Sequence, residues 1–201
     1  MRDALRRVGE SAWQHAQVAG VKALYQRQLV RGKVYAVDGS GLGDDFRLVA
    51  LVCVSATRPI IVAWRLLRGQ ASEKGQEAAV TRSLVEQVLE VAGPQAISLL
   101  LADALYADGP LLAWLKYRKS IDALVSLPED RLLYQDLQGL ADGRLIDWTH
   151  HRYVRTIGGH KQVREVEVTA AGELTSWDGF TEKAASYGGP MPVYGRASSG
   201  M

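Results

Sequence analysis

Three apolar runs rich in β-branched residues follow one another between Val34 and Leu67: VYAVDGS, FRLVALVCVSA and PIIVAWRLL, parted by Gly-Asp-Asp and Thr-Arg-Pro. Runs of this length predict strands, and connections this short predict an antiparallel meander. Over residues 72 to 92 the apolar positions change to helical spacing, with Ala79, Leu84, Val88, Leu89 and Val91 on one side. Ser72 suits the N-cap, Gln76 and Glu77 the first turns, and Gly93-Pro94 the stop. The continuous run AISLLLAD predicts a strand buried on both faces. A second helix is expected from about Gly109, with Pro110 in its first turn and Lys116, Arg118 and Lys119 at its end. IDALVSL closes the series as one more strand. The order β-β-β-α-β-α-β implies an α/β fold, a mixed sheet with helices on its faces.

On either side of this block the texture differs. Residues 3 to 30 lack proline and space Leu5, Val8, Trp13, Ala16, Val21, Leu24 and Leu29 in a loosely helical way, which predicts one or two helices with Gly20 as a break. Beyond Pro128 glycines multiply, and RYVRTI, QVREVEVTA and MPVYG are the strand candidates. The expected organisation is a basic helical segment over 1–32, a core over 33–127, a β-rich subdomain over 128–195 and an unstructured tail over 196–201.

Composition narrows the setting. With 201 residues, 47% of them hydrophobic, the chain can bury one sizeable core. A single cysteine, Cys53, excludes a disulfide within the chain and suits a reducing cytosol; inside an apolar run it reads as a small buried hydrophobe. The first seventeen residues carry charges with no apolar stretch behind them, unlike a secretory signal. The longest apolar stretches are broken by Arg58-Pro59 and by two aspartates, so no membrane span is expected. Net charge is only +2, yet residues 1 to 32 hold six basic side chains against Asp3 and Glu10. A basic entry segment on a slightly acidic body is compatible with nucleic acid and equally with solvated helix faces.

The candidate chemistry lies in two aspartates. Asp38 ends the first predicted strand and Asp103 the fourth, the strand expected beside it at the centre of the sheet. Ligands of open α/β sheets bind beyond the carboxyl ends of strands where the topology reverses. Two carboxylates side by side there repel each other, and a divalent cation relieves that repulsion. Hard oxygen ligands select Mg²⁺ or Mn²⁺, and such ions serve phosphodiester chemistry. The alternative is that each aspartate only caps a turn, a role that Asp38 before Gly-Ser-Gly also suits.

Other motifs point less clearly. GSGLGD leads into another strand, and Asp44-Asp45 would oppose phosphates, so a dinucleotide loop is unsupported. An aspartyl phosphatase nucleophile would stand where Ala36 is. His150, His151 and His160 have no zinc-site spacing. Arg152, Arg155, Lys161 and Arg164, interleaved with Trp148 and Tyr153, are the candidate nucleic-acid contacts, against the alternative of an ordinary exposed hairpin.

The strand ending AVDGS, the strand ending LLLAD followed by ALYADGPLLAWL, and the meander between them resemble the catalytic domain of DDE transposases of bacterial insertion sequences, which has an RNase H-like fold. The resemblance covers residues 33 to 127 and extends more loosely over 128 to 195, where that family often carries a β-rich insertion. It implies that Asp38 and Asp103 are the first two acids of a metal-binding triad, with Tyr106 as the aromatic residue after the second. It further implies two Mg²⁺ or Mn²⁺ ions, transposon-end and target DNA as partners, a nucleoid-associated location in the cytoplasm, and an assembly compatible with a homo-oligomer. The family's third acid is a glutamate on a helix after the insertion. Glu173 and Glu182 are the candidates by default, neither in helical surroundings, and the expectation is that the chain stops before that helix. A non-catalytic DNA-binding remnant, or a nuclease or resolvase on the same fold, are the alternatives.

Overall fold

The computed structural model describes residues 10–30, 32–43, 46–54, 58–68, 76–126, 134–135, 138–139, 149–157, 159–174, 186–187 and 193–200. The chain divides into two units, Met1–Ser126 and Leu127–Met201.

The first unit begins with α1 (Glu10–Gln26) and continues with β1 (Val34–Leu42), β2 (Phe46–Cys53), β3 (Ile60–Arg68), α2 (Gln76–Ala92), β4 (Leu99–Ala102), a 3₁₀ turn (Ala104–Tyr106), α3 (Gly109–Lys119) and β5 (Asp122–Val125). The five strands form one mixed sheet in the order β3-β2-β1-β4-β5. β1, β2 and β3 pair antiparallel, whereas β1–β4 and β4–β5 pair parallel. The expected α/β arrangement with a mixed sheet is therefore present.

Local chemistry explains the boundaries. The Asp108 carboxylate accepts a hydrogen bond from the Leu111 amide at 2.7 Å and caps α3, with Pro110 in the first turn and Ser120 in the left-handed region (φ 57°) at its end. α1 runs through Gly20 without the expected break. One helical glycine costs about 1 kcal/mol, and burial of Val21 on the same helix offsets it. α1 also packs against β3 and α2. Ser72, the expected cap of α2, lies outside the described residues.

Alternation along β1 and β2 sorts the sheet into two faces. Tyr35, Val37, Val49, Leu51 and Cys53 are buried on one face, and Leu84, Val85 and Val88 of α2 are likewise buried. Arg65 of β3 donates to the Ser83 hydroxyl at 3.2 Å, which identifies α2 as the cover of this face. Cys53 is fully buried, as its apolar surroundings predicted. β4 departs from the expectation: only Leu100 is fully buried, and its neighbours are half-covered.

The second unit contains an antiparallel sheet of β6 (Thr149–Ile157), β7 (His160–Leu174) and β8 (Val193–Gly200) in that order. Gly159, at φ 82°, makes the β6–β7 turn, where a side chain would be strained. Residues 196–200, expected to be an unstructured tail, form most of β8 and pair with β7. Among the described residues no helix is long and apolar enough to cross a membrane.

Candidate functional site

β1 does not end at Asp38, as its sequence suggested. It continues to Leu42, paired with β2 throughout, from Asp38↔Ala50 to Leu42↔Phe46. The turn residues Gly39, Ser40 and Gly41 are absorbed into the hairpin because the β2 ladder satisfies their backbone groups. What ends near Asp38 is the other neighbour: the parallel ladder between β1 and β4 stops at Val37↔Ala102. Asp38 and Asp103 are the next residue on each strand.

Asp103 keeps an extended backbone (φ −81°, ψ −177°), so the β4 alternation carries through it. The registers Val34↔Leu99 and Ala36↔Leu101 place Asp38 and Asp103 on the same face, on strands about 4.8 Å apart. That face is opposite the one under α2. β1 is also the strand from which the chain proceeds to β2 on one side and, later, to β4 on the other, so the pair stands at the topological switch point.

Both carboxylates are exposed and held by backbone amides. Asp38 Oδ1 accepts from the Gly39 N–H at 2.8 Å, and Asp103 Oδ1 accepts from the Leu105 N–H at 2.9 Å. Asp103 therefore does perform the turn-capping role, as N-cap of the 3₁₀ turn. The two roles are compatible, since a carboxylate has a second oxygen. Two adjacent exposed carboxylates are a donor set for a hard divalent cation. Among the described residues no three His, Cys, Asp or Glu side chains come together for a metal. Glu173 lies in β7 of the second unit, and Glu182 is outside the described residues.

Behind the pair, on the α2 face, is a polar cluster that sequence reasoning missed except for Tyr106. Arg47 Nη1 lies 3.2 Å from Glu77 Oε1, with side-chain exposures of 17% and 8%. A Cβ on Gly39 would come within 2.8 Å of Arg47 Nε and Nη2 and 3.1 Å of the Tyr106 hydroxyl. The guanidinium and the phenol thus converge on the residue that follows Asp38. Arg47 Nε, Glu77 Oε1 and the Tyr106 hydroxyl are buried with no hydrogen-bond partner among the described residues. Burial pushes the Tyr106 phenol up to about 12; Arg47 acts against this, and Asp103, Asp38 and Glu77 add to it. An arginine interrupting an apolar strand, FRLVALVC, was the available signal.

The basic residues of the second unit are less concentrated than their sequence suggests. Arg152↔Glu165 and Thr156↔Lys161 are register pairs of one alternation, and Tyr153↔Arg164 and Arg155↔Gln162 of the other. Arg152 and Lys161 therefore share one face of the hairpin. Glu165 lies 3.7 Å from both Arg152 Nε and His150 Nε2, which partly neutralises that pair. Val154 and Val163, a register pair on the face of Arg152 and Lys161, are exposed.

An apolar groove of about 660 Å³ between α1 and the meander, lined by Val21, Leu24, Leu48, Trp64 and Leu66 among others, includes neither aspartate. Its lining offers no cluster of reactive groups, so the carboxylate pair remains the candidate site. No family model, no curated protein and no solved structure matches this chain.

Proposed function

We propose that this chain is a DNA-processing protein of the DDE transposase type, acting by metal-dependent strand cleavage and transfer on an RNase H-like sheet. The observation that carries the reading is the placement of Asp38 and Asp103 as neighbours on one face, at the switch point of a β3-β2-β1-β4-β5 sheet. Such a site needs ionised carboxylates that do not have to move. The Gly39 and Leu105 amides fix one oxygen of each. Asp38 and Asp103 would hold Mg²⁺ or Mn²⁺, which supplies Lewis-acid polarisation of a phosphodiester and of the attacking oxygen when bound. The nucleophile is water in cleavage and a DNA 3′-hydroxyl in transfer.

Calorimetric titration with Mn²⁺ tests the site. Wild type should bind, and Asp38→Asn and Asp103→Asn should each abolish binding while the circular dichroism spectrum is unchanged. Equal affinity in all three proteins rejects the reading. Incubation with labelled duplex then separates the activity from its neighbours: joined products mark a transposase, cut ends alone a nuclease or resolvase.

A second reading, a non-catalytic DNA-binding protein, is favoured by one observation: no third metal-ligating side chain joins the pair among the described residues. Mn²⁺ and DNA binding without cleavage would support it.

A further inference from the structure

The Arg47–Glu77 pair needs an explanation that stability does not supply. A buried ion pair is commonly no more stabilising than apolar side chains of the same volume, and the next position on this face of β2, Val49, is a buried apolar residue. Its position is specific. Arg47 stands opposite Gly41 on β2 and reaches to within 2.8 Å of where a Gly39 side chain would begin. A full positive charge therefore lies immediately behind the strand carrying Asp38, in a medium where charges act over longer distances than in water. Left alone it would repel a cation approaching the carboxylates from the other face.

We infer that Glu77 is a charge-balancing residue for the carboxylate pair: it neutralises Arg47 so that Asp38 and Asp103 present their full negative charge to a divalent cation. Tyr106 completes the arrangement by tying it to both acids. It belongs to the turn that Asp103 caps, and its hydroxyl reaches the same point beneath Gly39 as the guanidinium. Arg47 thus packs the glycine after one acid, Tyr106 follows the other, and Glu77 reaches in from the first turn of α2. Neither Arg47 nor Glu77 is a ligand in this scheme. The inference rests on the metal-binding reading above.

The test is Mn²⁺ titration of the full chain and its variants by calorimetry, with thermal unfolding of the metal-free proteins as a control. Glu77→Gln, which leaves the arginine charge uncompensated, should weaken Mn²⁺ binding by about tenfold. The double variant Arg47→Gln/Glu77→Gln removes both charges and should restore affinity to within about threefold of wild type, since the net charge behind the pair is again zero. A merely structural role predicts the reverse, with the double variant at least as impaired as the single. Wild-type affinity in Glu77→Gln, or no recovery in the double variant, overturns the inference while Mn²⁺ binding by the wild type leaves the site itself standing. Absence of wild-type Mn²⁺ binding removes both. Should Glu77→Gln not fold, Arg47→Gln decides: loss of the cation must not weaken binding, and a tenfold loss there is a refutation.

Discussion

The guanidinium of Arg47 and the phenol of Tyr106 meet beneath Gly39, at 2.8 and 3.1 Å from the point where a side chain would start. Gly39 has no unusual backbone angle among the described residues, so its requirement is one of space rather than conformation. Gly39→Ala should therefore destabilise by overpacking, by about 1–3 kcal/mol, with no φ contribution. Urea denaturation measures it, and a neutral result would show that Arg47 can withdraw without cost.

Loss of the cation should be worse than loss of space. Arg47→Met leaves Glu77 buried without its counter-ion, and breaking such a pair costs about 3–5 kcal/mol, toward the lower end here because Arg47 keeps some solvent contact. Arg47→Met/Glu77→Met should recover most of that loss in the same denaturation experiment. A double variant no more stable than the single would show that the methionines pack poorly.

Alkaline pH should expose Tyr106. Its phenol titrates near 12 when folded against about 10 when unfolded, so the folded state holds the proton more tightly. The stability this represents is complete below pH 10 and is lost as pH rises through 10 to 12, on the order of 2 kcal/mol. Tyr25 and Tyr35, hydrogen-bonded to each other and also raised by burial, contribute with the same sign. Tyr106→Phe should remove one proton's share of the alkaline slope. An unchanged slope from pH 9 to 12 would contradict the burial of this group.

The end of α3 offers a stabilising change. Ser120 occupies the left-handed region at φ 57° and ψ 37°, and its amide donates to the Leu115 carbonyl. Ser120→Gly keeps that bond and relieves the Cβ, which should stabilise by about 0.5–1 kcal/mol. A lower thermal midpoint would mean that the serine side chain contributes something the backbone does not show.

In the second unit Arg152 and Lys161 share one face of the β6–β7 hairpin, where Glu165 partly offsets Arg152. Arg152→Glu/Lys161→Glu reverses charge on a single face of the β6–β7 hairpin and should weaken duplex binding and flatten its salt dependence by about two counterions. Salt slopes identical to wild type would exclude that face as the contact.

Strand and helix identities were legible because they depend on local periodicity. The meander, both crossover helices and the parallel pairing of β1 with β4 follow from runs such as VYAV and LLLA and from connection lengths. Boundaries were less legible. β1 outlasted Asp38 because pairing with β2 rewards an extended Gly-Ser-Gly that would, in isolation, favour a turn. α1 ran through Gly20 because tertiary burial of its neighbours outweighs a local propensity of about 1 kcal/mol.

The carboxylates themselves could be named from the chain, since an acid after an apolar strand is a one-dimensional pattern. That they share a face required the register, because a shift of one residue would have turned one of them toward α2. The cluster behind them was invisible in one dimension. Arg47, Glu77 and Tyr106 come from a strand, a helix and a turn, and only the folded sheet gives them a common point under Gly39. Hydropathy patterns encode which residues leave water; they carry no information on which buried charges will find each other.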